Sequence, residues 1–321
     1  MKRLGLITSG GDAPGMNTAI RAVVRSADAR GVETFGFLDG YQGLIEGRGA
    51  VVSARDVGDI LHRGGTILRT ARCPDMHTAE GRQAARASLR EHDVEGLIVV
   101  GGDGSLAGAR ALAAEGVPVV GIPASIDNDI RGTRMSLGVD SALNTIMEAI
   151  DRLRDTASSH KRTFLIETMG RGSGYLASMA GVICGAELVV APEHHTTVDD
   201  IADVVDRAHQ RGKPHCFVIV AEGANLGVDE IATHLQDHRI GYEARVTKLG
   251  HVQRGGSPSA FDRMLASRMG VAATDALLAG RTDVMTGLVG WEIELAALED
   301  VIGQPGEPSV PYLELTRLLA R

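Results

Sequence analysis

The stretch LGLITSGGDAPG, residues 4–15, is the clearest indication of the fold, because it joins an apolar run to a glycine-rich turn that opens a helix. A near-continuous apolar run is typical of a strand with both sheet faces covered. Apolar residues then recur at helical spacing from Met16 to Ala27, and Pro14 suits the first turn of that helix. A strand that leads through a tight turn into a helix is the repeating unit of an α/β protein.

The same pattern recurs along the chain. Six more apolar runs predict strands at 34–38, 96–100, 118–122, 163–167, 187–191 and 216–221. Helical spacing predicts two further helices, around residues 143–153 and 259–278. This alternation predicts mostly parallel sheets flanked by helices, and ligands in such folds bind beyond the carboxyl ends of the strands.

Composition bounds the class of protein. With 321 residues, 44% of them hydrophobic, the chain can form a large core, and two domains are favoured. Its net charge of -8 gives no general attraction to nucleic acid or to acidic membranes. No apolar run approaches the roughly 18 residues of a membrane span, and the first residues lack a signal-peptide pattern. Cys73, Cys184 and Cys216 show no C-x-x-C spacing. We therefore expect a cytoplasmic protein with buried thiols that binds neither nucleic acid nor membranes.

Two glycine-rich loops follow predicted strands. Gly10 and Gly11 stand in the first, and the second reads Gly101-Gly102-Asp103-Gly104-Ser105, residues 101–105. Backbone N–H groups of such loops can face a phosphate, and the carboxylate of Asp103 can face a metal ion. Neither loop has Walker or dinucleotide-binding spacing. A tight connection is the alternative for the first loop taken alone.

The loop after the strand at 118–122 reads Pro-Ala-Ser-Ile-Asp-Asn-Asp, residues 123–129, and places Asp127 and Asp129 on one side of an extended segment beside Ser125. Two carboxylates so close repel each other unless a cation or a shared proton separates them. Phosphoryl transfer requires both a Mg²⁺ ligand and a base. An Asp-Asn-Asp turn that caps the next helix is the alternative.

Two later loops carry cations. Arg171 lies in Met-Gly-Arg-Gly-Ser-Gly, residues 169–174, where a guanidinium can meet a phosphoryl group or serve as a surface ion-pair partner. His251 and Arg254 lie in Gly-His-Val-Gln-Arg-Gly-Gly, residues 250–256. A lone histidine is more often structural than catalytic, but this loop is cationic in an acidic protein.

In this order the motifs resemble those of the phosphofructokinase family, and the resemblance runs from Leu4 to about Gly280. It implies two α/β domains with mostly parallel sheets. Residues 1–138 plus 251–305 would bind nucleotide and Mg²⁺, and residues 139–250 plus 306–321 would bind the sugar phosphate.

The resemblance also implies roles for single residues. Asp127 would take the proton from the 1-hydroxyl of fructose 6-phosphate, and Asp103 with Asp129 would hold Mg²⁺. Gly11, Arg72 and Arg171 would hold the transferring phosphoryl group of ATP. The implied nucleotide contacts are Gly11, Tyr41, Arg72, Cys73, Gly102, Asp103, Gly104, Ser105 and Gly108, with Tyr41 offering a face for adenine. The implied sugar-phosphate contacts are Ser125, Asp127, Asp129, Arg162, Met169, Gly170, Arg171, Glu222, Arg245, His251 and Arg254.

Regulation and assembly are implied in the same way. Arg162 and Arg245 resemble arginines that reach a neighbouring subunit's sugar phosphate, which implies a homotetramer. Five cations match positions that in bacterial members surround a second phosphate site between subunits: Arg21, Arg25, Arg154, Arg211 and Lys213. Glu187 matches a carboxylate that can hold Mg²⁺ there. These residues imply an ADP-like activator or a phosphoenolpyruvate-like inhibitor; five unrelated surface ion pairs are the alternative, and Ala54 stands where the pattern has another arginine.

The phosphoryl donor separates the main alternatives. Members that use pyrophosphate resemble one another in having Asp at the position of Gly104 and Lys at that of Ala124, so this chain is expected to use ATP. A carboxylate at 104 would repel the α-phosphate of ATP. A kinase of the NAD or lipid type would not need His251 and Arg254. A non-catalytic nucleotide sensor would not need Asp127 or Arg171.

Overall fold

The computed structural model describes residues 1–241, 243–306 and 309–320. The chain forms two compact units, residues 1–141 with 254–307 and residues 142–253 with 308–321. These divisions fall a few residues after the boundaries at 138, 250 and 305 that the resemblance implies. Within the described residues, no helix is long and apolar enough to span a membrane.

Eleven strands are described. They are β1 Arg3–Ser9, β2 Glu33–Phe37, β3 Gly49–Val51, β4 Leu97–Gly101, β5 Val119–Pro123, β6 Thr163–Thr168, β7 Leu188–Val190, β8 Cys216–Ala221, β9 Ala244–Lys248, β10 Val284–Val289 and β11 Glu292–Ala297. All seven strands that the apolar runs predict are present. The sequence did not predict β3, β9, β10 and β11.

The helices alternate with these strands. They are α1 Met16–Asp28, α2 Gly40–Glu46, α3 Ala79–Glu91, α4 Asp103–Ala114, α5 Val139–His160, α6 Tyr175–Cys184, α7 Val198–Gln210, α8 Val228–Asp237, α9 Ala260–Leu278, α10 Leu298–Val301 and α11 Val310–Leu319. Pro14 precedes α1 rather than standing in its first turn, because Gly15, with φ of 100°, is the N-cap.

The first unit contains a seven-stranded sheet in the order β11-β10-β5-β4-β1-β2-β3. Its five central strands are parallel, and the edge strands β3 and β11 are antiparallel to their neighbours. Ser9 of β1 pairs with Gly101 of β4, and Gly101 pairs with Pro123 of β5. The loops that follow these three strands therefore start side by side at one edge of the sheet.

The second unit contains a four-stranded parallel sheet in the order β7-β8-β6-β9. Thr168 at the end of β6 pairs with Ala221 of β8, and Glu167 pairs with Lys248 of β9. The loops after β6, β8 and β9 are therefore neighbours as well. The predicted class, α/β with mostly parallel sheets flanked by helices, is confirmed.

Candidate functional site

In the first unit, the glycine-rich loops after β1 and β4 touch each other. A Cβ atom on Gly10 would lie 3.0 Å from Oγ of Ser105, and one on Gly101 would lie 2.5 Å from the carbonyl oxygen of Ser9. Glycine is therefore needed for this close approach. The second loop leads directly into α4, whose N-cap is Gly102. Unpaired N–H groups at such a helix start favour a bound anion.

The loop after β5 holds the two carboxylates around one hydroxyl. Asp127 is 2% exposed, and its backbone N–H donates to Oγ of Ser125 at 3.3 Å. The same hydroxyl donates to Oδ1 of Asp129 at 3.2 Å. Asn128, between them, has a left-handed backbone with φ of 50°, and its Oδ1 accepts from the N–H of Ser136 at 3.0 Å. The turn is thus fixed by Asn128, with a carboxylate on either side of it.

The alternative that residues 127–129 cap the next helix is wrong. That helix, α5, starts at Val139, and Asp262 of α9 caps it: the N–H groups of Gly138 and Ser141 each donate to Asp262 at 2.9 Å. Oγ of Ser141 donates to the same carboxylate at 2.6 Å. Burial raises the pKa of Asp262 to about 6, although these hydrogen bonds lower it. The sequence analysis missed Asp262.

Asp103 and Asp129 carry the donor chemistry of a Mg²⁺ site. Oδ1 of Asp103 accepts a long bond, 3.4 Å, from the N–H of Gly303. Within the described residues no group of three or more His, Cys, Asp or Glu could hold a metal ion. A pair of carboxylates nevertheless fits Mg²⁺, which is usually held by one or two carboxylates, waters and substrate phosphates.

Two of the arginines that the resemblance assigns to ATP or the sugar phosphate, Arg72 and Arg254, lie in the first unit. Nη1 of Arg254 donates to the carbonyl of Asp12 at 3.2 Å, and its guanidinium lies where a side chain on Gly11 would be. The structure therefore places Arg254 beside the first glycine-rich loop. Arg72 is exposed and follows Thr70, whose Oγ1 donates to the carbonyl of Gly10 at 2.7 Å.

Among the implied nucleotide contacts, the role of Tyr41 needs correction. The ring of Tyr41 does not offer a face for adenine, because the residue is 4% exposed in the core of the first unit and its hydroxyl donates to the carbonyl of Ser105 at 2.6 Å. A Cβ on Gly108 would lie 2.9 Å from that ring, so glycine at this position makes room for Tyr41. Cys73 is only half-buried, unlike the other two cysteines, and burial raises the pKa of its thiol.

Gly104 has open space where its side chain would be. Apart from its chain neighbours and the backbone of its own helix, no atom of the described residues lies within 4 Å of a Cβ built there. The side chain at this position would therefore meet solvent or a ligand, which makes residue 104 suited to select among ligands. Ala124, by contrast, is 1% exposed and forms a bridge with Leu137.

In the second unit, Glu222 holds the loop after β6. Its Oε1 accepts from the N–H of Gly170 at 3.1 Å and from that of Arg171 at 2.7 Å. Gly170 has φ of 146°, and a side chain there would overlap the carbonyl of Ser173. Arg171 has φ of 51° and is exposed. Glu222 thus holds the loop in an unusual conformation, in which the N–H groups of Gly170 and Arg171 point toward its carboxylate.

The sequence analysis missed Gln253, which joins two of these loops. Its side chain is fully buried; Oε1 accepts from the N–H of Met169 at 3.3 Å, and Nε2 donates to the carbonyl of Gly250 at 2.9 Å. His251 follows Gly250 and is exposed. The structure therefore brings the Met169 loop and the His251 loop together through one amide.

Arg162 and Arg245 are also brought together. Nε of Arg162 lies 3.4 Å from Oε2 of Glu243, and Nη2 of Arg245 lies 2.6 Å from Oε1 of the same carboxylate. The sequence analysis missed Glu243. Its position next to β9 would have been the only signal, because the contact depends on the pairing of β6 with β9.

Four of the six implied effector residues lie in the second unit. Oε1 of Glu187 accepts from Nζ of Lys213 at 3.0 Å, and the guanidinium carbon of Arg154 lies 5.0 Å from the centre of the Phe217 ring. Arg211 lines a cavity of about 550 Å³ with Glu187. The cavity is also lined by Leu188, His194, Thr196, Asp200, Asp203, Val204, Arg207, Arg317 and Ala320. The remaining two, Arg21 and Arg25, are one turn apart on α1 of the first unit.

Comparison with known proteins gives consistent matches over the whole chain. A Thermotoga neapolitana protein named ATP-dependent 6-phosphofructokinase is 54% identical over 321 residues, which cover 100% of both chains. A Thermus thermophilus protein named ATP-dependent 6-phosphofructokinase 1 is 49% identical over 326 residues, again covering 100% of both. The solved structure of Pichia pastoris phosphofructokinase in the T-state has a TM-score of 0.90 at 35% identity, and the match covers 100% of this chain and 38% of that one.

The family model for phosphofructokinase matches residues 3–277, which include the glycine-rich loops and the paired carboxylates. The chain belongs to the phosphofructokinase family.

Proposed function

We propose that the protein transfers the γ-phosphoryl group of ATP to the 1-hydroxyl of fructose 6-phosphate, giving fructose 1,6-bisphosphate and ADP in glycolysis. The observation that carries the proposal is the loop after β5, in which the Ser125 hydroxyl joins the backbone N–H of Asp127 to the carboxylate of Asp129, at the edge where the glycine-rich loops meet. The full-length relatives named ATP-dependent 6-phosphofructokinase support the same donor and acceptor.

The chemistry follows from the groups at this edge. Asp127 accepts the proton of the 1-hydroxyl as the hydroxyl oxygen attacks the γ-phosphorus, and the bond from phosphorus to the bridging oxygen breaks to release ADP. The near-complete burial of Asp127 excludes water from its carboxylate. Such a transfer depends mainly on positioning and on donors around the phosphoryl oxygens. Gly11, Arg72 and Arg171 are the proposed donors.

Asp103 and Asp129 would hold Mg²⁺ in the complex with ATP. Mg²⁺ held by these carboxylates would supply positive charge that offsets the charge of the phosphates. The protein itself orients both carboxylates: the hydroxyl of Ser125 donates to Asp129, and the N–H of Gly303 donates to Asp103.

The sugar phosphate is proposed to bind the two loops that contain the motifs at residues 169–174 and 250–256. Met169, Gly170 and Glu222 would contact the sugar, and His251 would contact its phosphate. Arg162 and Arg245 would reach the sugar phosphate of a neighbouring subunit. The pairing of two arginines on Glu243 supports this proposal, because a bound phosphate would replace one carboxylate as their common partner.

ATP is favoured over pyrophosphate by two positions. The open space beside Gly104 leaves room for a nucleotide phosphate, which an aspartate there would repel. Ala124 provides no cation, and its site is buried against Leu137. Pyrophosphate-dependent transfer is the second candidate, and a non-catalytic sensor is the third.

Regulation, assembly and location complete the proposal. The protein would form a homotetramer in the cytoplasm. Its effector site for ADP or phosphoenolpyruvate would be formed by Arg21, Arg25, Arg154, Glu187, Arg211 and Lys213. The cavity lined by Glu187 and Arg211 supports a ligand of this size. The similar Pichia pastoris phosphofructokinase was solved in a T-state, which supports regulation of this kind.

A coupled assay of fructose 1,6-bisphosphate formation with ATP or with pyrophosphate tests the function. We expect turnover with ATP and at least about tenfold lower kcat/KM with pyrophosphate, a difference of about 1.4 kcal/mol in transition-state stabilisation. Turnover with pyrophosphate but not with ATP would contradict ATP-dependent transfer and favour pyrophosphate-dependent transfer. Turnover with neither donor would favour the sensor.

A further inference from the structure

Two loops of the second unit need an external constraint to keep a fixed spacing. The loop after β6 contains Gly170 with φ of 146° and Arg171 with φ of 51°, and the loop after β9 starts with Gly250 at φ of 55°. Glycine adopts a positive φ at little cost, but at a non-glycine residue such as Arg171 this conformation is unfavourable and persists only where the surroundings determine it. Both loops carry proposed substrate residues.

Three consecutive N–H groups of the first loop are held by two side chains. Glu222 accepts from Gly170 and Arg171, and Gln253 accepts from Met169. These two side chains have different surroundings, because Glu222 is exposed whereas Gln253 is fully buried. Glu222 can therefore meet a ligand directly, and Gln253 can act only through the backbone that it holds.

Gln253 also reaches the second loop. The donor of its amide bonds the carbonyl of Gly250, the residue before His251, at 2.9 Å. A side chain with one acceptor and one donor is needed for this bridge, since one loop presents an N–H and the other a C=O. The Met169 N–H is buried together with the amide, so that it would lose its partner without gaining water, whereas the carbonyl of Gly250 is only partly buried.

We propose that Gln253 is a positioning residue, which sets the distance between the Met169–Arg171 backbone and His251 and so determines the affinity for the sugar phosphate. The inference rests on the proposed function. Without the amide, the two loops would separate or rotate to satisfy their polar groups, and Met169 and His251 would no longer present a matched pair of contacts. The hydrogen bonds of the Gln253 side chain run to Met169 and Gly250, which both belong to the second unit, and not to the glycine-rich loops of the first unit.

Steady-state kinetics of Gln253→Leu test the proposal. We expect the KM for fructose 6-phosphate to rise about tenfold, while the KM for ATP stays within about twofold of wild type, because uniform binding of one substrate is lost. Gln253→Glu keeps the length and the acceptor for Met169 but loses the donor for Gly250. We expect an intermediate rise, and this variant provides the test if the leucine variant does not fold.

A matched control separates positioning from stability. Ile231→Val removes one methylene from the buried core of the second unit, away from both loops. It should lower the melting temperature and leave both KM values unchanged. An unchanged KM for fructose 6-phosphate in both Gln253 variants, or an equal rise in Ile231→Val, would overturn the proposal.

Hydrogen exchange gives a readout that does not depend on activity. In wild type the amide of Met169 should be protected, and Gln253→Leu should speed its exchange at least about tenfold while core amides of β8 keep their rates. Absence of that change would overturn the role of Gln253 even if the enzyme were active. An inactive wild-type protein that shows the exchange difference would instead contradict the proposed function and leave the bridge intact.

Discussion

The choice of phosphoryl donor can be tested by one substitution, Gly104→Asp. The added side chain meets no protein atom within 4 Å at its Cβ, and the position lies in the first turn of α4, where a carboxylate is favourable. The variant should therefore fold as well as wild type. Any loss of activity should come from repulsion between the new carboxylate and a phosphate of ATP.

The size of this loss follows from Coulomb's law. Two unit charges 4 Å apart interact by about 1 kcal/mol in water and about 4 kcal/mol at an effective dielectric constant of about 20. These values correspond to losses of roughly fivefold and roughly 10³-fold in an equilibrium constant. We expect the ATP-dependent kcat/KM of Gly104→Asp to fall at least about tenfold.

The assay is the coupled measurement of fructose 1,6-bisphosphate formation at varied ATP and saturating fructose 6-phosphate. Gly104→Asn is the matched control, because it has the same shape without the charge, and it should lose much less activity. Equal losses in the two variants would show a steric effect and refute the electrostatic reasoning. Full activity of Gly104→Asp with ATP would refute the placement of the nucleotide phosphates.

Three further predictions concern the same structure. Because folding raises the pKa of Asp262 from about 3.8 to about 6, its contribution to stability is largest below about pH 4 and falls as pH rises through 6. Wild type should therefore lose about 1–2 kcal/mol relative to Asp262→Asn between pH 5 and 7.5 in urea unfolding, and parallel pH profiles would contradict this. Gly170→Ala should lower kcat/KM for fructose 6-phosphate at least about tenfold, whereas Gly172→Ala, with open space around it, should change it less than about twofold. ADP or phosphoenolpyruvate should shift the fructose 6-phosphate saturation curve of wild type and not that of Arg211→Ala, and unshifted wild-type curves at millimolar effector would exclude a working effector site.

The buried strands of the fold could be predicted from the sequence because they are continuous apolar runs. β4 and β8 are buried along their whole length, and both were predicted. β9 reads Ala-Arg-Val-Thr-Lys and is only partly buried, since it lies at the edge of its sheet. Its alternation of polar and apolar residues is too short to indicate a strand without its neighbour.

The loops of the candidate site could be predicted because their motifs are local in sequence. Side-chain direction could not: the sequence does not show that the ring of Tyr41 packs on Gly108, 67 positions later, rather than facing a ligand. Gln253 and Asp262 were missed for the same reason. Their partners lie 84 and 124 positions away in the chain, so the hydrogen bonds depend on the tertiary fold.

The central claim is that a buried carboxylate after β5 deprotonates the sugar hydroxyl, and the turnover of Asp127→Ser tests it most directly. With ATP and fructose 6-phosphate both saturating, kcat should fall by about 10²-fold or more, because a general base contributes about 10² to 10⁴. The affinity for ATP, measured by titration without the sugar, should stay within about twofold of wild type. A variant that retains more than about half of the wild-type kcat would contradict the account.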